Sequence, residues 1–569
     1  LKSLEPGNRG VMVLLASLYE RMGDRVRVEG ILRDLLTADP GSEEARLRLV
    51  EYIMRGGKTS EARAMLTTAP QGQTPKLRLA LAAVEAAAGD MTAAEKVLTE
   101  LAADPAAGPA GVDARLRLSE IKRHRGDRDE ALKNVDEALR QNPADARGHA
   151  SRGRILMTME RFEEALGEFR IAIKDAPDDE RVTVLMARAQ FAKESHHSGV
   201  EGLRSFLARK PRSIAVRLEL AAHFERQGQQ DEAIRVLRGG ESKGVTPPEL
   251  LLAMGEVEAR RERYAEAETY FLQASAMDNV KVPAMLRLGS LRAARKDWGG
   301  AKKVFEDVLV VNPDAQGGAE GLVAVEFAAG HPAAAVSWAK DRAGARTKDP
   351  LAADLWGRAA MRAGDTCGAE AAFREAQARA PEWSTPSVRL ASLYAATGQL
   401  GVAISVSRSA LSKNPDSVTE SLLLGQLLQQ DGQHEEPEAI YRKLLARHPE
   451  LRPAANNLAY LLVSREGVTT GGLQEALGLA TMASASGDPT ALDTLGWVQY
   501  RLGDRKAAQD NLRAAHKALP EDPVVTYHLA QILADEGQKA ESKVLLTRLL
   551  GAASAFPEAP AARALLERL

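Results

Sequence analysis

A period of 34 residues runs through this chain, and a repeat of that length leaves few folds open. Glycines stand at Gly330, Gly364, Gly398 and Gly432, each 34 residues after the last, and Gly503 with Gly537 and Gly23 with Gly57 repeat the step. Between Gly126 and Gly330 the same slot passes through Glu160, Glu194, Gly228, Glu262 and Lys296, so the register continues where glycine is absent. Prolines form a second series at the same spacing, at Pro143, Pro177 and Pro211 and again at Pro381, Pro415 and Pro449. Proline has no N–H to continue a helix and disfavours helical geometry in the residue before it, so each one separates two units. Between the markers lies a pair of amphipathic segments, as in Asp349 to Pro381, with the glycine where the first helix stops and the chain turns back.

Small residues at fixed positions let the paired helices approach. A Gly or Ala follows an apolar residue on the first helix in Leu288-Gly289, Trp356-Gly357, Leu390-Ala391, Leu424-Gly425 and Leu495-Gly496. A second small residue opens the partner helix at Ala131, Ala165, Ala233, Ala267, Ala301, Ala335, Ala369, Ala403 and Ala508. Four positions on, a bulky residue such as Phe169, Phe271, Phe305, Phe373 or Leu512 is expected to fill the space between neighbouring hairpins. Composition agrees: hydrophobic residues are 44% but aromatics only 4%, which suits thin helix-on-helix interfaces and not a thick core.

This pattern resembles the tetratricopeptide repeat and covers essentially the whole chain. The resemblance implies an all-α, right-handed α-α superhelix of about sixteen helical hairpins with a C-terminal capping helix. Repeats are expected to start at Arg9, Glu43, Pro75, Val112, Ala146, Glu180, Ile214, Pro248, Val282, Gln316, Pro350, Ser384, Val418, Arg452, Pro489 and Pro523. The expected organisation is the end of a preceding helix over 1–8, repeats over 9–106, a short insertion over 107–111, repeats over 112–451 and 452–556, and a cap over 557–569. The absence of a matching cap before Leu1 leads us to expect earlier repeats, and with them any signal or lipid anchor. Pro437 departs from the pattern where a small residue is expected, and the Ser464 to Gly472 stretch carries extra residues.

Chemistry-bearing motifs are missing from the sequence. There is no nucleotide-binding glycine loop, no G-x-S-x-G, no H-E-x-x-H and no paired C-x-x-C in a usable context, and we expect a protein that is not an enzyme and needs no cofactor. Cys367 is the single cysteine and has no base placed beside it. His196 and His197 are adjacent, so their side chains diverge and make a poor chelate. Lys and Arg number 76 against 78 Asp and Glu, a formal charge of -2, which gives no global field for nucleic acid or anionic membrane.

A partner would bind along the first helices, which line the concave side of a hairpin solenoid. The second, fifth, ninth and twelfth positions of each repeat share one side of that helix. In the last three repeats these positions give Asn456, Tyr460, Asp493, Trp497, Tyr500, Tyr527 and Gln531, with Arg501 beside them, a concentration of scarce aromatics that suits a groove. The competing reading is that Trp497 and the tyrosines pack against the next hairpin. In repeats four to six, Arg123, Arg147, Arg154, Arg181 and Arg188 project from the equivalent face and offer a patch for an anionic partner such as an acidic peptide or an anionic polysaccharide, unless neighbouring carboxylates neutralise it.

The C-terminal segments NNLAYLLVSREG, DTLGWVQYRLGD and YHLAQILADEGQKAESKVLLTRLL are most similar to bacterial tetratricopeptide lipoproteins of exosortase and exopolysaccharide loci. That resemblance implies a scaffold for protein partners or peptide segments, including export or polymer-synthesis machinery, in the periplasm or at the outer membrane. Membrane association would come only through an N-terminal anchor. A cytoplasmic peptide-binding adaptor and the repeat arm of a larger enzyme are the alternatives.

Overall fold

The computed structural model describes residues 9–569 apart from 23, 71, 242, 243, 466, 553–555 and 557. The expectations for residues 1–8 and for Gly23 lie outside the described residues. Among those described, 33 α-helices succeed one another with one 3-10 turn, Pro105–Ala107, and no β-strand. They pair as helical hairpins, each with a leading and a returning helix. Leading helices begin at Arg9, Glu43, Pro75, Pro109, Ala146, Glu180, Ile214, Pro248, Lys281, Gln316, Pro350, Ser384, Val418, Arg452, Pro489 and Pro523. The fourth starts at Pro109 and not at Val112, because Gly108 breaks the chain at φ 53° and Pro109 opens the first turn of the helix directly. Two compact units are distinguished, one ending at Ala284 and the other beginning at Met285. No helix among the described residues is long and apolar enough to cross a membrane.

At the described positions from Glu160 to Gly432, the 34-residue slot is a left-handed residue that follows a leading helix. Its φ is 84° at Gly330, 78° at Gly364, 77° at Gly398 and 80° at Gly432, and it remains positive at Glu160 (59°), Glu194 (60°), Glu262 (60°) and Lys296 (62°). At Gly364 the turn is closed by two bonds, Gly364 N–H to the Met361 carbonyl at 3.0 Å and Asp365 N–H to the Ala360 carbonyl at 2.9 Å. Glu160 and Arg161 reproduce this pair on Met157 and Leu156 at 3.2 and 3.0 Å. The helix end therefore gains its hydrogen bonds whether or not the residue is glycine. Asp365 then caps the returning helix, its carboxylate accepting from the Gly368 N–H at 2.8 Å.

Close approach within each hairpin follows from the small residues. All nine alanines that open the returning helices are fully buried. A Cβ added at Gly289 would lie 2.7 Å from the Phe305 ring, at Gly425 2.5 Å from the Tyr441 ring, and at Gly496 2.7 Å from Leu512 Cγ. The bulky residue thus sits first on the glycine of its own hairpin, not solely between neighbours as its position in the sequence suggests. Phe305 does both, since a Cβ at Gly321 of the next leading helix would also come within 2.5 Å of its ring.

Further ties join three leading helices to the turns before them. Arg46 donates to the Pro40 carbonyl at 2.8 Å, Arg217 donates to the Pro211 carbonyl at 2.7 Å, and His149 Nε2 lies 2.9 Å from the Pro143 carbonyl. Each reaches back six residues from the same place in its helix and satisfies a carbonyl that the inter-hairpin proline turn leaves without a helical partner. Pro437 is buried in the first turn of the helix Glu435–Arg447, where it costs no helical hydrogen bond. The helix Ala559–Arg568 lays Ala562 and Leu565 against Tyr527, Ala530, Leu546 and Leu549.

Three rings stack in the first unit. His223, which is buried, lies 3.8 Å from Phe191 between ring centroids and 5.3 Å from His196. Burial, then the neighbouring His196 and Arg226, hold the His223 imidazole below the usual histidine range, against a weaker opposing pull from Glu219. The unfolded chain consequently binds this proton more readily, so stability is expected to fall as pH drops from about 7 through the ordinary histidine pKa near 6.5. A urea-midpoint series against pH checks this, and His223→Phe is expected to flatten that acid limb.

The glycine slots give a sharper expectation. No atom lies within 4 Å of a Cβ added at Gly432, so Gly432→Ala should cost about 1 kcal/mol through backbone strain alone. Gly425→Ala must also displace the fully buried Tyr441 ring and should cost more, about 1–3 kcal/mol from overpacking on top of any backbone effect. Lys296→Gly should shift stability the opposite way. Urea unfolding followed by circular dichroism orders the three variants.

Candidate binding cleft

Four consecutive leading helices, Val418–Gln430, Arg452–Val463, Pro489–Leu502 and Pro523–Asp535, present one face to a common cleft of about 460 Å³. Their starts are fixed locally. Ser417 caps the first, Asp488 accepts from the Ala491 N–H at 3.0 Å, and Asp522 accepts from the Val524 and Val525 N–H groups at 3.0 and 3.1 Å. The first helix contributes Gln426, Gln429 and Gln430, and the second contributes Asn456, Asn457 and Tyr460. Thr490, Asp493 and Thr494 come from the third, while Asp522 and Val525 come from the start of the fourth.

Behind this lining stands a buried polar pair. Asp493 is 4% exposed and His528 1%, with His528 Nδ1 2.9 and 3.0 Å from the two carboxylate oxygens. Trp497 lies face to face with the His528 ring at 4.1 Å and 14°, and with Tyr500 at 5.0 Å and 23°. Tyr527 is buried among Ala530, Leu546 and Leu565. At the cleft wall the Tyr460 hydroxyl donates to Glu558 at 2.6 Å across 98 residues of sequence. Burial, followed by the charges of Glu558 and Asp493, pushes that phenol well above the ordinary tyrosine range. Burial and then the hydrogen bond to Asp535 push Tyr500 up to about 12.

The eight residues singled out in the sequence thus divide. Asn456, Tyr460 and Asp493 line the cleft. Trp497 and Tyr527 form the packed layer behind it. Tyr500 and Gln531 are bonded to Asp535 and to each other, and Arg501 donates to the Val463 carbonyl at 2.9 Å, tying two leading helices together. The glutamines, Asn457, the threonines, His528 and Glu558 were not singled out. The one signal for His528 is its place 35 residues after Asp493, one repeat further along.

Two buried acceptors at the cleft have no hydrogen-bond partner, Asn456 Oδ1 and Glu558 Oε2, whereas the neighbouring Asn457 side chain turns to the buried Tyr441 hydroxyl. Leaving such atoms buried and unpaired costs on the order of 1–3 kcal/mol each. Two acceptors beside a cleft of this size are the arrangement expected where a polar ligand donates to them.

The arginine stretch is different. Arg123 pairs with Glu120 at 3.0 Å, Arg147 with Asp113 at 2.9 Å and Asp145 at 3.1 Å, Arg188 with Glu219 at 2.6 Å, and Arg154 with Glu120. Arg181 is exposed, and its backbone N–H bonds Asp179. Four of the five guanidiniums are therefore already matched by carboxylates. Cys367 is exposed, and among the described residues no group of three or more His, Cys, Asp or Glu is arranged to hold a metal ion.

Family models match two stretches of the chain, residues 58–189 as a tetratricopeptide repeat-like domain and residues 355–418 as a tetratricopeptide repeat. Over these stretches this is a tetratricopeptide-repeat protein. Among curated proteins it is similar to cellulose synthase operon protein C of Xanthomonas axonopodis pv. citri (strain 306), 23% identical over 543 residues, which is 90% of this chain and 35% of that protein. The protein of the same description from Pseudomonas fluorescens (strain SBW25) is 30% identical over 152 residues, 26% of this chain and 12% of its own length. The tetratricopeptide chain thus spans about a third or less of these relatives. Among solved structures, Naa15/Naa10 bound to HypK-THB is 15% identical, with 97% of this chain and 88% of that chain covered and a TM-score of 0.40.

Substitutions should separate the packed layer from the lining. Trp497→Ala removes a ring stacked on His528 and is expected to destabilise the fold by about 3 kcal/mol or more. Asn456→Ala, which removes an acceptor that has no partner, should not destabilise the fold by more than about 0.5 kcal/mol. Equal losses in the two variants would place Asn456 in the core.

Proposed function

We propose that this chain is a non-catalytic scaffold in a bacterial cell-envelope assembly that makes or exports an exopolysaccharide, and that it holds a polypeptide partner in the cleft of its last four leading helices. The tetratricopeptide-repeat fold serves protein association, and the observation that carries the reading to this site is the pair of buried, unpartnered acceptors on Asn456 and Glu558. An extended peptide presents N–H groups that can donate to such acceptors. The descriptions of the two similar proteins support the exopolysaccharide setting, and the place proposed for the chain is the periplasm or the outer membrane.

Deleting the gene is expected to lower extracellular polysaccharide, and the intact gene to restore it. A gene carrying Asn456→Ala should fail to restore output although the protein accumulates and folds normally. Full restoration by that variant would remove the cleft from the mechanism, and recovery of the protein in the cytoplasmic fraction would overturn the envelope assignment.

A further inference from the structure

The polarity of the cleft narrows the partner. Lysine and arginine supply 76 of the 569 residues, yet none is among the described residues that line the cleft, where the one nitrogen base among them is the His434 imidazole. Three carboxylates do line it, those of Asp493, Asp522 and Glu558. Asp493 is occupied by His528, and Asp522 spends one oxygen on the start of its helix. Glu558 keeps one oxygen buried and without a partner while the other accepts from Tyr460. The upward push on the Tyr460 phenol from Glu558 and Asp493 reports the same negative surroundings. A buried carboxylate oxygen is costly unless a donor meets it, and a cationic donor meets it best.

We infer that the cleft receives a basic segment of its partner, an extended peptide whose arginine or lysine side chain reaches Glu558 and Asp522 while its backbone bonds Asn456. This rests on the reading of the cleft as a peptide groove and adds its charge preference. An anionic ligand, whether a peptide carboxylate or an acidic polysaccharide, would bring like charge to these oxygens with no cation to offset it. Neutral sugars would meet the amides but leave the negative field unanswered. The matched arginines of the first unit offer no competing anion site of comparable strength.

The test uses the full chain and three probes of matched length: a glycine-arginine hexapeptide blocked at both ends, its glycine-glutamate counterpart, and cellohexaose, measured by titration calorimetry at physiological ionic strength. The arginine peptide should bind one to one, and weaken as salt rises. Glu558→Gln and Asp522→Asn each keep the shape and the existing bonds of the residue, and each should weaken binding about tenfold. Glu130→Gln, at an exposed acid of the first unit, should leave it unchanged. Tighter binding of the glutamate peptide or of cellohexaose overturns the inference, as does arginine-peptide binding that ignores both cleft variants. If the arginine peptide fails while Asn456→Ala still abolishes polysaccharide output, the charge preference falls and the groove stands. If both fail, the groove itself falls.

Discussion

In several hairpins one bulky side chain lies where the partner helix has no Cβ. Phe305 over Gly289, Tyr441 over Gly425 and Leu512 over Gly496 all use the absence of a Cβ to bring two helices together, with the alanines of the returning helix completing the contact. Because this contact is made inside the hairpin, the turn between helices can be short, and a single left-handed residue followed by a capping aspartate is enough. Stacking of successive hairpins then repeats with little variation, since the same residue also meets the next leading helix, as Phe305 does at Gly321.

That arrangement leaves one side of the leading helices without structural duty. Over Val418–Asp535 the chain fills it with amides, hydroxyls and carboxylates instead of more alanine and leucine, and supports them from behind with a stacked layer of Trp497, His528 and Tyr527. The lining is thereby held on rigid helices whose own packing does not depend on it, which suits a site that must keep its geometry whether or not it is occupied.

Much of this was legible in the sequence because the period is enforced by backbone geometry. Glu160, Glu194, Glu262 and Lys296 occupy the glycine slot at positive φ, so the spacing continued even where the marker residue was lost. What the period could not resolve is which residues at equivalent positions face the cleft. Tyr460 and Trp497 hold the same place in successive repeats, yet Tyr460 meets the cleft and Trp497 is drawn against the imidazole supplied by the following helix. The neighbour decides, and a neighbour's side chain is not part of a repeat's own pattern. Charge was misleading for a similar reason: Arg147 and Arg188 find their carboxylates on Asp113 and Glu219, more than thirty residues away in each case. Glu558 carries no repeat signal at all.

The Tyr460–Glu558 bond has a consequence for how the site is made. Almost every other contact links a helix to one near it in sequence, so most hairpins can form from local information. This bond spans 98 residues and closes only when the helix Ala559–Arg568 has docked on the hairpin before it. The cleft is thus completed late, and its integrity is tied to the least buttressed helix of the unit: fraying there would withdraw one wall while the rest of the array stays folded.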